Sequence, residues 1–156
     1  MHIPVLLNEA IAGLKPQKGD IVLDATIGGG GHARAFCESI GPKGLLIGID
    51  ADENILAKTK EELKNISCRF CFQNLNFKDL EKALEVCAVK TVDIILFDLG
   101  LNILQIEESG RGFSFLKRGP LLMTFRARTE PEALTAYEIV NYWEKGRIEK
   151  ILKEYG

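Results

Sequence analysis

The feature that most constrains this chain is an apolar segment that runs directly into four consecutive glycines. Residues Ile21–His32 read IVLDATIGGGGH, which is typical of a buried strand, a glycine-rich turn and the start of a helix. Glycine adopts positive φ at little cost and lets a ligand approach the main chain closely. A second apolar segment ends at Asp50, 19 residues after Gly31, where an acid can hydrogen-bond a ribose hydroxyl. The pattern predicts a cradle for a phosphate or a nucleoside cofactor, in preference to a plain surface turn.

The rest of the chain alternates strand and helix patterns. Strands are predicted at Ile21–Thr26, Leu45–Ile49, Arg69–Gln73 and Thr91–Phe97. Helices are predicted around Leu6–Leu14, His32–Ile40, Glu53–Lys64, Phe77–Val86, Thr135–Trp143 and Gly146–Tyr155. Asp52 is placed to cap one of them, and Thr135 and Glu138 have capping-box spacing. Because β-α-β crossovers are right-handed, this order predicts an α/β fold with a doubly wound parallel sheet.

Length, composition and charge narrow the class of protein. A chain of 156 residues, 46% apolar and 27% charged, is expected to form a single globular domain. Its apolar runs are far shorter than the ~20 residues of a membrane span, and its N-terminus lacks a signal-peptide pattern, so we expect a cytoplasmic protein with no membrane partner. The net charge of −2 gives no general basic surface for a polyanion. A local basic stretch nevertheless contains Arg111, Lys117, Arg118, Arg126 and Arg128, and it is either a phosphate-contacting or a merely solvated surface.

The four cysteines raise the question of a metal or redox site. Cys68 and Cys71 have C-x-x-C spacing. They lie in a predicted strand, however, where residues three apart point to opposite faces of the sheet. No second pair or nearby histidine completes a zinc site, so we expect no metal and buried, reduced thiols at Cys37, Cys68, Cys71 and Cys87.

Asp24, Asp50 and Asp98 each come at or near the end of a predicted strand. The carboxyl ends of parallel strands form the ligand-binding edge of an open α/β sheet, so we expect these acids to converge there. Two cofactors fit the pattern. Gly28-x-Gly30-x-x-Ala33 matches the dinucleotide fingerprint, but the chain lacks the length for a second mononucleotide half and a substrate domain. S-adenosylmethionine needs only one nucleoside site.

Several motifs together resemble a known family. HIPVLL, DATIGGGGH, GIDAD, the DLG at Asp98, and RGFSF followed by GPL occur in the order and spacing of the MraW-type methyltransferases, from His2 to about Gly156. Members of that family methylate the N4 amine of a cytidine in small-subunit ribosomal RNA. The resemblance implies a class I (Rossmann-like) methyltransferase fold, S-adenosylmethionine as the cofactor, and ribosomal RNA or the small ribosomal subunit as the partner.

The resemblance also implies roles for individual residues. Gly30, Gly31 and His32 would line the methionine side of the cofactor. Asp50 would hold the ribose, and Phe77 would lie against the adenine. Asp98 and Gln105 would complete the cofactor site, and Asn102 is the candidate catalytic residue, because its carbonyl oxygen could accept a hydrogen bond from the acceptor amine.

The chain departs from the family pattern on the acceptor side. DLGLNILQ replaces DLGVSSxQ, so Asn102 and Ile103 stand for two serines, and GPLLMTFRA places Leu122 where the family has an acid. Residues 101–156 resemble only the start of the family's helical insertion, so the sheet is expected to be incomplete in its C-terminal half. Its free edge would be covered by LLMTF (121–125) or would pair in a homodimer. The alternatives to an RNA methyltransferase are a non-catalytic, degenerate cofactor-binding relative and an NAD-dependent oxidoreductase.

Overall fold

A computed structural model describes residues 4–101, 103–107, 109–127 and 133–156. The chain divides into two compact units, Met1–Gly100 and Leu101–Gly156, and each is described here by itself.

The first unit is built on a four-stranded parallel sheet. Its strands are β1 (Ile21–Asp24), β2 (Leu45–Asp50), β3 (Arg69–Asn74) and β4 (Ile94–Leu96), in the spatial order β3-β2-β1-β4. The register aligns Asp24 of β1 with Gly48 of β2 and Leu96 of β4, so the carboxyl ends of the strands share one edge. This arrangement confirms the predicted α/β class, a parallel sheet with helices on both faces. The strand order reverses between β1 and β4, which makes that crevice the topological switch point where such sheets bind ligands.

Four helices cover the two faces of this sheet: α1 (Leu7–Leu14), α2 (Gly31–Ile40), α3 (Glu53–Leu63) and α4 (Leu80–Val86), with a short 3₁₀ turn at Phe77–Asp79. On one face, Phe36 and Ile40 of α2 and Leu63 of α3 pack with Val22 and Leu46. On the other face, Ala83 of α4 packs with strand residues of the sheet. The central strands are therefore buried on both sides, which explains their nearly continuous apolar sequence.

Local side-chain contacts decide where the elements begin and end. Asp52 caps α3, as predicted, by accepting hydrogen bonds from the backbone N–H groups of Asn54 and Ile55. β1 ends at Asp24, two residues earlier than predicted, because the Asp24 carboxylate accepts the Thr26 N–H at 3.1 Å and bends the chain out of the sheet.

The cysteines correct one expectation and confirm another. Cys68 packs on the α2 face of the sheet and Cys71 on the α4 face, so the two do point in opposite directions. The thiols are not reduced, however: Cys37 is joined to Cys68 and Cys71 to Cys87, with Cα–Cα distances of 5.4 and 6.0 Å. Sequence reasoning missed these pairs because β3 meets α2 and the end of α4 only through the tertiary fold.

The described part of the second unit contains three helices, α5 (Ile103–Glu107), α6 (Ala136–Tyr142) and α7 (Lys145–Tyr155). Thr135 and Glu138 form the predicted capping box at the start of α6. The preceding loop is tied to itself and to α6 through backbone hydrogen bonds, including Met123 N–H to Arg111 O at 2.8 Å and Ala136 N–H to Leu122 O at 3.0 Å. Helix α5 was not predicted, since it is a single short turn without a cap signal.

Neither a membrane-spanning helix nor a metal-binding cluster occurs among the described residues. None of their helices has the length and apolar character needed to cross a bilayer. Within the same residues there is also no cluster of three or more histidine, cysteine or acidic side chains that could hold a metal ion.

Candidate cofactor-binding site

Backbone and side-chain hydrogen bonds tie the ends of β1, β2 and β4 together. Asp24 closes β1 and is 1% exposed, Asp50 closes β2, and Asp98 follows β4 by two residues. The three acids lie close enough for the charges of Asp98 and Asp50 to act on Asp24. The acids that the sequence analysis placed at the sheet edge therefore do lie there together.

Asp50 links the second strand to the glycine loop. Its Oδ2 accepts the Gly28 N–H at 3.0 Å, and its Oδ1 accepts the Asp52 N–H at 2.8 Å. Because an ionised carboxylate offers about four acceptor positions, these two backbone bonds orient Asp50 while ribose hydroxyls can still donate to it.

The glycines of the loop are required by close contacts with other parts of the first unit. Gly30 has φ +76°, and a Cβ there would lie 2.7 Å from Thr59 Cγ2. A Cβ on Gly31 would overlap the ring of Pro4. Thr59 also donates from its hydroxyl to Gly28 O at 2.5 Å. The loop is thus held against α3 and the N-terminal segment, while Gly30 leaves α2 without a side-chain cap.

Thr26 is a residue that sequence reasoning missed. Its hydroxyl accepts the Asp98 N–H at 2.7 Å, while its own N–H donates to Asp24 Oδ1. A single side chain therefore fixes the loop after β4 to the loop after β1, across the switch point. The spacing Asp24-x-Thr26, which is typical of an Asx turn, was the available signal.

His32 faces the same loop. It is the second residue of α2 and is 7% exposed. Its Nδ1 lies 3.7 Å from Asp98 Oδ2, which is within electrostatic range but longer than a hydrogen bond. His32 and Asp98 are therefore brought together at the edge of the sheet.

Burial dominates the ionisation of Asp24. Desolvation raises the pKa of its carboxyl from 3.8 to about 7, and the nearby charges of Asp98 and Asp50 add to this rise. The hydrogen bond from the Thr26 N–H opposes the rise without cancelling it. Near neutral pH, Asp24 is therefore a buried carboxyl that readily keeps its proton.

Phe77 is a half-exposed residue at the carboxyl edge and not a core residue. Its ring meets that of Phe97 edge to face, at 6.2 Å between centroids, and both rings are more than 40% exposed. The pair forms an apolar shelf that could receive a flat ring.

Two predicted site residues are not among the described residues of the first unit. Gln105 belongs to the second unit, where it is buried on α5 and its carbonyl accepts a hydrogen bond from the Ser109 hydroxyl. Asn102, the candidate catalytic residue, lies outside the described residues. The roles predicted for both stay predictions.

The comparisons with known proteins agree with this geometry. A solved structure of a Clostridium thermocellum protein described as an rRNA-methylase superposes with a TM-score of 0.55 at 23% identity, over 65% of this chain and 55% of that one. This likeness supports the class I methyltransferase fold. Among curated relatives, ribosomal RNA small subunit methyltransferase H of Desulfosudis oleivorans is 43% identical over 156 residues, and that of Clostridioides difficile is 37% identical over 155.

Each of these two alignments covers 99% of this chain but 49% of the relative, so the chain spans about half the length of the curated relatives it matches. The model of the MraW methylase family matches residues 1–156. The resemblance first seen in HIPVLL, the glycine loop and RGFSF is therefore confirmed over the whole sequence, and the chain belongs to the MraW methylase family.

Proposed function

We propose that this chain binds S-adenosylmethionine at the carboxyl edge of its sheet and serves in methylation of the N4 amine of a cytidine in small-subunit ribosomal RNA. The observation that carries the cofactor assignment is the distribution of charge around the switch point. Three carboxyl groups, those of Asp24, Asp50 and Asp98, lie near one another, and Asp98 lies beside the start of α2, which has no side-chain cap and no acid in its first turn.

This distribution matches the charges of S-adenosylmethionine. Its sulfonium and ammonium groups are cationic and suit the acids, while its carboxylate suits the free N–H groups at the start of α2. A dinucleotide would instead bring an anionic pyrophosphate next to the carboxylate of Asp98, with like-charge repulsion. When bound, S-adenosylmethionine supplies an activated methyl group, which is the chemistry that the family requires.

The residues of the site have separable tasks. Asp50 accepts from the ribose hydroxyls, because the two backbone bonds it receives fix its orientation. Phe77 offers its exposed face to the adenine. His32 and Asp98 border the methionine portion beside Gly30 and Gly31.

Isothermal titration calorimetry tests the cofactor assignment. We expect the chain to bind S-adenosylmethionine in preference to NADH. Asp50→Asn should weaken binding by at least tenfold, since a hydrogen bond to a charged acceptor contributes about 1.5–3 kcal/mol. Glu85→Gln, which removes an exposed acid on α4, is the matched control and should bind normally. Tighter binding of NADH, or unchanged affinity in Asp50→Asn, would reject the proposal.

The residues that would bind the cytidine determine whether the chain is catalytic. We propose that Asn102 orients the amine of the cytidine, with Gln105 completing the site. The replacement of two serines by Asn102 and Ile103 favours the second candidate function, a cofactor-binding relative without catalysis. Incubation with labelled S-adenosylmethionine and small ribosomal subunits separates the two. Label in the RNA that is lost in Asn102→Ala supports catalysis, whereas cofactor binding without any label supports the degenerate relative.

We also propose that the free edge of β4 pairs with that of a second copy. Among the described residues β4 bonds to β1 alone, and Ile95 on it is 43% exposed, while Phe97 just after it is 45% exposed. An unpaired apolar edge strand is a ready template for another strand. We further propose that the chain acts in the cytoplasm on ribosomal RNA, and that residues 1–156, which contain both compact units, serve as a single S-adenosylmethionine-binding domain.

A further inference from the structure

The basic residues of this chain are unevenly distributed. Residues 109–128 include five arginines or lysines and no acid, although the whole chain has a net charge of −2. We infer that the loop between α5 and α6 is a docking surface for single-stranded RNA, binding a backbone phosphate in a basic cavity and stacking a base on Phe115. This inference rests on the proposed function, since it names the surface that would hold the RNA substrate.

A small cavity lies within this loop. Its volume is about 130 Å³, which is room for a phosphate group. The described lining residues include Arg111, Ser114, Lys117 and Arg118, together with Glu107. Among these described residues the cations outnumber the acid, which favours an anion such as phosphate.

The loop is held in shape by its own contacts, so the cavity does not depend on a ligand to form. Arg111 is 6% exposed, and its Nη1 donates to Phe125 O at 2.8 Å. The backbone at Gly112 passes so close to Pro120 that a Cβ there would overlap the Pro120 carbonyl oxygen. Arg111 is thus a structural member of the cavity, and Lys117 and Arg118 are its exposed cations.

These two cations are held differently. Lys117 Nζ donates to Glu107 O at 2.5 Å, which fixes the ammonium beside the cavity at the end of α5. Arg118 makes no hydrogen bond or ion pair within the described part of the chain. A guanidinium presented in this way can take two phosphate oxygens at once.

An aromatic side chain stands next to the cations. Phe115 and Leu116 are almost wholly exposed, which is costly for apolar side chains unless a partner covers them. A basic groove combined with an exposed aromatic ring is how proteins bind single-stranded nucleic acid, because every base has a face that stacks. An acidic peptide would need only the cations. The exposed ring of Phe115 therefore favours RNA as the partner.

Fluorescence anisotropy with a labelled 20-nucleotide single-stranded RNA of mixed sequence tests the surface, measured over a series of KCl concentrations. Lys117→Gln combined with Arg118→Gln should lower the affinity about tenfold or more and reduce the salt slope by about 0.7, since the two cations hold one phosphate and each phosphate contact on a single strand contributes about 0.7. Phe115→Ala should lower the affinity roughly fivefold or more while leaving the slope unchanged, because stacking releases no counterions.

Lys43→Gln combined with Lys90→Gln is the matched control, because it removes two exposed cations from the first unit. It should leave both affinity and slope close to those of the unmodified chain. Equal losses of RNA affinity in the control and in the Lys117/Arg118 variant, or no loss in either, would reject the proposed RNA-binding surface. S-adenosylmethionine titration of the same variants should be normal, so failure of the surface is distinguished from failure of the proposed cofactor site.

Discussion

Asp24 is the buried acid on which the sheet edge depends. Its pKa is about 7 in the folded chain and 3.8 when unfolded, so between pH 4 and pH 7 the folded state holds more protons. Stability conferred by the protonated form is therefore present at low pH and is lost as pH rises through this window. At 1.36 kcal/mol per pKa unit, the loss is on the order of 4 kcal/mol.

Asp24→Asn tests this cost, because the amide oxygen can still accept the Thr26 N–H but never ionises. We expect the free energy of unfolding, measured with urea, to favour the variant increasingly from pH 5 to pH 8. The curves of the two proteins should draw together near pH 4. Parallel curves over this range would show that burial does not perturb Asp24 in the way its surroundings require.

Thr26 is a positioning residue for the loop after β4. Thr26→Val removes the acceptor of the Asp98 N–H and leaves that group unsatisfied, which we expect to weaken S-adenosylmethionine binding about fivefold, or about 1 kcal/mol. Thr26→Ser keeps the hydroxyl and should restore most of the affinity. Calorimetry provides the measurement. If Thr26→Ser binds as weakly as Thr26→Val, the methyl group and not the hydroxyl is what matters.

At the scale of elements, local chemistry was predictable and long-range pairing was not. Asp52 and Thr135 were identified as caps because a cap depends only on residues two or three positions away. The early end of β1 at Asp24 was missed, since a side-chain bond to Thr26 competes with the strand there. In the site, the family motifs identified Asp50 and Asp98, but the link through Thr26 joins residues 72 positions apart and is visible only in three dimensions.

The two disulfides are also long-range links between elements. They fix β3 to helical segments on both faces of the sheet, closing separations of 31 and 16 residues. Loop-closure entropy gives each about 3–4 kcal/mol of stabilisation in the chain-entropy model.

Reduction with an excess of a dithiol should therefore lower the midpoint of thermal unfolding by several degrees, with a matching rise to four alkylatable thiols in the mass spectrum. Cys71→Ser combined with Cys87→Ser should reproduce part of this loss and leave the other pair oxidised. Four alkylatable thiols in the chain unfolded with urea but without reductant would instead support the reduced state first expected.

At the scale of the whole molecule, the strand order places β4 at an edge of the sheet. β1 and β2 are flanked on both sides, whereas among the described residues β4 pairs only with β1, so β4, which Asp98 follows by two residues, is an edge of the sheet. The chain spans about half the length of its curated relatives, and Ile95 on β4 is exposed, as are Phe97 and Leu99 just after it. The exposed apolar side chains and Asp98 thus lie on one continuous segment, and pairing at this edge would bear on both.

Sedimentation equilibrium is the measurement that decides whether this edge self-associates. We expect the 156-residue chain to form a dimer, and Ile95→Lys to shift it toward the monomer by at least tenfold in dissociation constant, because a buried unpaired charge opposes strand pairing. Val86→Lys places the same charge on a more exposed apolar position of α4 and should leave the dimer intact. A monomer in all three proteins would remove the edge from consideration, and dissociation in Val86→Lys alone would move the interface to α4.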